Sequence, residues 1–370
     1  MSVYKIFPSA DASLYSAFPA KNTGLDEILE VSVKNSNNPT NFFVDPVPST
    51  PLLSDDLRRS IIRFSDDDIA LLNDFIIGEE ALNINLRLYL ANAENLNIPY
   101  TLEFKQVNDD WTMGTGKFID NPETRNGACW YNTGSYSVSS SNWTNANYYI
   151  TPGGGSWDNT DAVTQSFDYK DKKDINVNVL GIVQNWWSGQ PNYGILIKHS
   201  SSIENDPNSY IVTNFFSTDT HTIFPPCLEL KWDDSLYDTG SLTVVSTSST
   251  VLNVSNNPYN IKSTTGKYQF RVTARDKYPI RTFTTASLYT VNKALPQTSY
   301  WSIQDVKTED VIIDFDDTFT KISCDNLGSY FNVYMSGLEP ERYYKILIKI
   351  VLDSGESLVI DNDNIFKIVR

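Results

Sequence analysis

Apolar and polar positions alternate along residues 4–232 in short runs broken by polar turns. The stretch "EILEVSV" (27–33) puts Leu29, Val31 and Val33 on one face, a half-buried strand facing a core. "RSIIRF" (59–64) predicts another strand, with a short helix from residue 67. "INLRLYL" and "YTLEFKQV" predict strands at 86–90 and 100–107, joined by a polar loop. In "INVNVLGIVQNWWSGQPNYGILIK" (175–198) the period changes from two to between three and four. Ile175, Val177 and Val179 form a strand face, and a helix of one or two turns follows, capped by Gly189. The "QPN" turn leads to a further strand at "YGILIK". The helix cannot turn both Trp186 and Trp187 the same way, so one is core and the other is freer. Such regular strand–turn spacing predicts an antiparallel sandwich. Interruptions are expected at 35–56, which holds four prolines, and at 133–161, a Ser/Asn/Gly/Tyr-rich surface loop with room for a hairpin.

A second β region follows. "GKYQFRVTARD" (266–276) alternates, with Tyr268, Phe270 and Val272 on one face. The stretch 275–300 has no clear period and is expected to be an extended arm. Charge supports a division. Residues 1–239 carry 15 Lys+Arg against 31 Asp+Glu, and residues 240–370 carry 14 against 14. The whole net charge of −16 therefore sits in the first part, and a domain boundary is expected near 239/240. An acidic surface of this kind repels phosphate backbones, so nucleic acid is not an expected partner. No run approaches the ~20 apolar residues of a membrane helix, and "MSVYKIFPSADASLY" lacks the basic and apolar segments of a secretory signal. The three cysteines, Cys129, Cys227 and Cys324, have neither zinc spacing nor an even count. They read as buried free thiols of a reducing compartment.

Catalytic motifs are not evident. The two histidines are His199, ending a predicted strand, and His221, in a Thr-rich loop. The acidic pairs and runs at 66–68, 109–110, 233–234 and 316–317 read as solvated turns. The chain is not expected to be an enzyme. Sugar binding needs exposed aromatic faces among small polar groups. Trp143, Tyr148, Tyr149, Trp157 and Trp187 are placed for that, although in a component of a particle such residues serve first as a protein interface.

Five landmarks occur in order and carry a resemblance: "ADASLY…NTGLDEILEV", "RSIIRF", "WTMGTGKFIDNPETRNGACW" (111–130), "INVNVLGIVQNWWSGQPNYGILIK" and "PPCLELKW". Together they resemble DNRLRE-type domains, although Ser65 stands where that family usually has Asp. The resemblance implies a β-jelly-roll sandwich over 1–239, related to carbohydrate-binding modules, with Trp186 as the core tryptophan and Trp187 the freer one. Those modules often carry a structural calcium, for which Asp11, Asn22 and Asp26 near the first turn offer oxygen ligands. No other cofactor is expected. "GLEPERYYKILIKIV" (337–351) is similar to the strand entry of fibronectin-III or immunoglobulin-like domains, with Tyr343 or Tyr344 at the corner position. The expected fold is therefore all-β: a jelly roll followed, over 240–370, by one or two Ig-like sandwiches. The combination resembles structural virion proteins of large tailed bacteriophages. It implies a non-enzymatic component of a virion, made in the host cytoplasm, contacting other virion proteins as a symmetric homo-oligomer. The alternative is a carbohydrate-binding module attaching to a surface polysaccharide.

Overall fold

The structure is a computed structural model that describes residues 2–35, 55–76, 82–96, 98–134, 142–144, 152–155, 162–279 and 291–370. It is all-β, of the β-sandwich class. The chain forms two compact units, one of Ile6–Phe75 and Ile84–Leu228, the other of Met1–Lys5, Ile76–Asn83 and Glu229–Arg370. The smaller unit thus takes in the start of the chain as well as its end, an exchange that the change of charge near 240 does not reveal. Among the described residues, no helix is long and apolar enough to cross a membrane.

The first part of the chain runs β1 (Ser2–Ile6), β2 (Ala10–Tyr15), β3 (Ile28–Asn35), β4 (Asp55–Arg63), α1 (Asp66–Ile76), β5 (Leu82–Leu88), β6 (Leu90–Glu94) and β7 (Tyr100–Gln106). It continues with β8 (Val163–Phe167), β9 (Ile175–Asn178), α2 (Leu180–Trp187), β10 (Ile195–His199), α3 (Ser201–Glu204), β11 (Tyr210–Phe216) and β12 (Cys227–Trp232). An eight-stranded sheet has the order β6-β11-β3-β4-β10-β7-β8, with β2 also paired to β4. A four-stranded sheet has the order β1-β12-β5-β9.

The predicted inward faces hold. Leu29, Val31 and Val33 of β3 are buried, as are Ile175, Val177 and Val179. Strand β10 lies between β4 and β7 and is buried at every position. Its run "ILI" is therefore apolar on both faces instead of alternating. The first turn of α1 carries Asp66, Asp67 and Asp68, where a helix N-terminus favours negative charge. In α2, Ile182, Val183 and Trp186 face the core. The helix ends in a full Schellman motif: Gln190 N–H donates to Asn185 O, Gly189 N–H donates to Trp186 O, and Gly189 takes φ +98°.

The second part has β13 (Thr250–Val254), β14 (Asn260–Lys262), β15 (Lys267–Asp276), β16 (Ser299–Asp305) and β17 (Val311–Ile313). It ends with β18 (Ser323–Asp325), β19 (Gly328–Tyr334), β20 (Tyr343–Val351) and β21 (Ser357–Val369). Its sheets are β13-β15-β19-β18 and β14-β21-β20-β16-β17. Their inner faces share one core, in which Phe331 stacks on Phe270 and Trp301 at 5.4 and 5.1 Å between ring centres. The edge strands β14, β17 and β18 have three residues each, too short to template another chain readily. Of the two corner candidates, Tyr344 is buried and its hydroxyl donates to Glu339 O at 3.1 Å, while Tyr343 is exposed. Asp316 accepts the N–H groups of Thr318 and Phe319, and Asp233 that of Ser235, so these acidic pairs do form turns. All three cysteines are free and buried. Of the expected arm at 275–300, residues 280–290 lie outside the described residues.

Candidate functional site

The turn between β2 and β3, "KNTGLDE", supplies a joint on which a long loop is hung. The Asn22 side-chain amide donates to Met113 O at 2.7 Å and Ala128 O at 2.8 Å, and its carbonyl oxygen accepts Gly116 N–H at 2.8 Å. One buried amide thus satisfies three backbone groups from two other segments of the chain. The approach is close enough to require glycine. A Cβ on Gly24 would lie 2.1 Å from Met113 O, and one on Gly127 would lie 2.5 Å from the Gly114 Cα. The "NTG", "GTG" and "NGA" triplets, widely separated in sequence, are therefore parts of one joint.

Beyond the joint, residues 117–120 form a turn braced by several hydrogen bonds. Asp120 N–H donates to Lys117 O, Phe118 N–H to the Asp26 carboxylate, and the Lys21 ammonium to Phe118 O at 2.8 Å. The Asp120 carboxylate accepts Lys117 N–H and the Thr124 hydroxyl. The Phe118 ring packs on Phe18 and Tyr15, with the Lys21 ammonium 4.5 Å from its centre. At the tip stands Ile119, 85% exposed.

Of the aromatic residues singled out in sequence, the structure describes Trp143 and Trp187. Trp143 is fully buried, its indole N–H donating to Cys129 O at 2.8 Å. It packs in a cluster with Ala12, Leu14, Ile61, Trp111 and Leu196, a plug between loop and sheet and not an exposed face. Trp187 is half-buried and donates to Ile69 O on α1 at 2.9 Å, so its indole edge is spent inside the fold. Trp186 is the core residue of the pair. Tyr148, Tyr149 and Trp157 lie outside the described residues. Sequence reading missed Trp111, whose indole N–H donates to Tyr193 O, and Trp130, which lies under the Arg59 guanidinium at 5.1 Å.

The three oxygen ligands proposed for calcium serve three different backbone segments. Asn22 holds the joint. Asp11 is buried and accepts the Thr218 N–H and hydroxyl at 2.7 and 2.8 Å. Asp26 accepts Phe118 N–H at 3.1 Å. Burial pushes the carboxyls of Asp11 and Asp26 each up to about 6, against the pull of these hydrogen bonds. Among the described residues no three His, Cys, Asp or Glu side chains are grouped to hold a metal ion. Asp11 Oδ2, Asn22 Oδ1 and the Asp26 carboxylate are thus each directed at a separate partner.

A buried ionic network lies on the same sheet. Arg59 forks onto Glu204 at 2.9 and 2.8 Å and also donates to Gly153 O at 2.7 Å. Lys198 reaches Glu204 at 3.0 Å and Glu103 at 3.6 Å, and Lys105 reaches Glu103 at 3.0 Å. Burial lowers the Lys198 ammonium below the ordinary lysine range, and Glu204 opposes that. Next to it, His199 is fully buried. Its Nε2 faces Val31 O at 3.3 Å, its Nδ1 has no partner among the described residues, and burial pulls it down to about 4.

A cleft of about 530 Å³ opens where the end of β4 meets the turn before β10. Arg63, Ser65, Asp66, Asp110, Asn192 and Tyr193 line it. The Arg63 guanidinium lies 5.2 Å over the Trp111 ring and bonds Asp110 at 2.6 Å. Asn192 clamps the far side, donating to Phe64 O and to Asp66 Oδ1 at 2.9 and 3.0 Å. The chain matches no model of a known protein family and no curated protein sequence.

Proposed function

We propose that the chain is a non-enzymatic structural component of a tailed-bacteriophage virion that acts through protein–protein interfaces, with other virion proteins and further copies of itself as partners. The observation that carries the reading is Ile119. Ile119, at 85%, is the most exposed large apolar side chain among the described residues, and it stands on a turn held by Lys21, Asp26, Asp120 and Thr124. A preordered apolar anchor of this kind fits a pocket on a partner with little further ordering cost. The combination of the jelly-roll landmarks with the Ig-like stretch at 337–351 supplies the resemblance to virion proteins, and the free buried thiols accord with folding in a reducing compartment.

The test is quantitative mass spectrometry of purified particles from phage encoding either the native chain or Ile119→Asp. The native chain is expected in simple ratio to the portal or capsid protein. The variant, which leaves the fold intact, is expected to be depleted at least several-fold. Absence of the native chain from particles refutes the virion role, and undiminished incorporation of the variant refutes the interface.

A further inference from the structure

We propose that the cleft beside Arg63 binds the zwitterion of a free α-amino acid with an apolar side chain. The site uses none of the residues of the Ile119 turn and stands or falls independently of the virion role.

The charged groups of the cleft are fixed before any ligand arrives. The Arg63 guanidinium lies over the Trp111 ring and donates from Nη1 to Asp110 Oδ1 at 2.6 Å. Its Nε and Nη2 have no partner among the described residues. Asp110 Oδ1 also accepts the Trp111 backbone N–H, and its Oδ2 is left open on a side chain 70% exposed. Asp66 Oδ1 accepts Asn192 at 3.0 Å, and its Oδ2 is open as well. Asn192 is itself held from both ends, donating to Phe64 O and accepting Gly194 N–H. Groups set in place beforehand lower the ordering cost of binding.

Charge balance and charge spacing together select the ligand. Arg63 is matched by Asp110, and Asp66 stands in the first turn of α1, where the helix N-terminus offsets its charge. A ligand of one sign meets its own kind here: an anion meets the two carboxylates, and a cation meets the guanidinium. A zwitterion satisfies both sets. The 2.6 Å contact between Arg63 and Asp110 places the open guanidinium edge beside an open carboxylate oxygen, so the ligand must carry its two charges equally close together. An α-amino acid carries them on one carbon. Its carboxylate accepts from Nε and Nη2 of Arg63 as a fork, and its ammonium donates to the open oxygens of Asp110 and Asp66. A peptide, whose charged ends are separated, cannot make both contacts. Pro191 and Tyr193 line the same cleft and give apolar surface to the ligand's side chain. The volume, about 530 Å³, lies within the ~300–1,000 Å³ of ordinary small-molecule sites.

Trp111 gives a direct reporter, since its indole N–H donates to the Tyr193 carbonyl at the cleft wall. The eight indole signals of the ¹⁵N-labelled full chain would be followed by NMR, with Trp111→Phe to assign the one of interest. The probes are L-leucine, L-isoleucine, L-methionine and L-phenylalanine, the N-acetyl and amide derivatives of each, and 6-aminohexanoate, whose two charges are far apart. At least one of the four amino acids is expected to shift the Trp111 signal saturably. Its N-acetyl derivative, its amide and 6-aminohexanoate should each bind at least about tenfold more weakly, since each forgoes one charge-assisted contact. Asp66→Asn and Asp110→Asn should each weaken binding of the amino acid by about tenfold for the same reason. The other indole signals, unchanged in the variants, show that the fold is kept. The proposal is overturned if no amino acid moves the signal, if a derivative with one charge or 6-aminohexanoate binds as well as the amino acid, or if both variants bind as the native chain does.

Discussion

Two deeply buried titratable groups of the larger unit, His199 and Asp11, have opposite effects on acid stability, and substitution separates them. His199 has its imidazole lowered from 6.5 to about 4 by burial, so the folded state keeps it neutral where the unfolded chain is already protonated. Between pH 6.5 and about 4 the unfolded state binds the extra proton, and stability falls as pH falls. At 1.36 kcal/mol per pKa unit, this loss amounts to about 3 kcal/mol. Asp11 works the other way. Burial, reinforced by the charge of Asp219, raises its carboxyl from 3.8 to about 6. Over that window the folded state binds the extra proton, and stability rises by about 3 kcal/mol as pH falls. Half-buried Asp26 adds in the same sense as Asp11, but solvent screens it and its share is smaller.

The contributions of His199 and Asp11 should therefore nearly cancel between pH 6.5 and 4. His199→Gln removes the acid loss and exposes the Asp11 gain, so this variant should become more stable on acidification by about 3 kcal/mol. Asp11→Asn removes the gain and should lose about as much over the same range. The double variant should return to the slope of the native protein. Denaturant unfolding at half-unit pH steps, followed by tryptophan fluorescence, measures all four profiles. The slopes carry the information, so a constant packing cost of either substitution does not affect the comparison. Parallel profiles for the native protein and His199→Gln would falsify the buried neutral imidazole, and with it the placement of β10 against β3.

Other expectations concern stability alone. Glu204→Gln leaves Arg59 and Lys198 short of their shared carboxylate and should cost about 3–5 kcal/mol in denaturant unfolding. Trp143→Ala empties a fully enclosed site and should cost about 3–5 kcal/mol by the same assay. An exposed sugar-binding tryptophan would cost almost nothing there. Tyr344→Phe removes the corner hydrogen bond to Glu339 O and should lower the stability of the smaller unit by about 1 kcal/mol.

Local periodicity made the elements legible. The alternation of 28–33 and 175–179 and the switch into α2 each depend on residues a few positions apart, and Gly189 marks the helix end by its own backbone freedom. The site was less legible because its partners are distant in sequence. Asn22 bonds residues 91 and 106 positions away, and nothing near "KNTG" announces them. The one available signal was the glycine in each of the three triplets, which reads as flexibility when taken singly and as close approach when taken together. Trp143 misled for a related reason. Its neighbours "SN" and "TN" are those of a surface loop, but a loop laid over a sheet buries any side chain on its underside. Polar neighbours report the exposure of the backbone segment and not the direction of one ring.

Strand β10 shows why one face of the larger sheet is closed to a ligand. Successive residues point to opposite faces, so Leu196 and Lys198 share the face that also carries Ile61 and Arg59 of β4. Leu196 and Ile61 are covered by Trp111, Ala128 and Trp143, and Arg59 is capped by Trp130 and Gly153 O. The apolar half of this face takes an apolar cover and the charged half a polar one, both from the chain's own loops. A ligand groove on that part of the sheet would have to displace a buried hydrophobic cluster and expose an ion network, at a cost well above an ordinary binding free energy of ~8 kcal/mol at micromolar affinity. Under the proposed function, contact with partners falls to side chains outside this face, such as Ile119 on its turn.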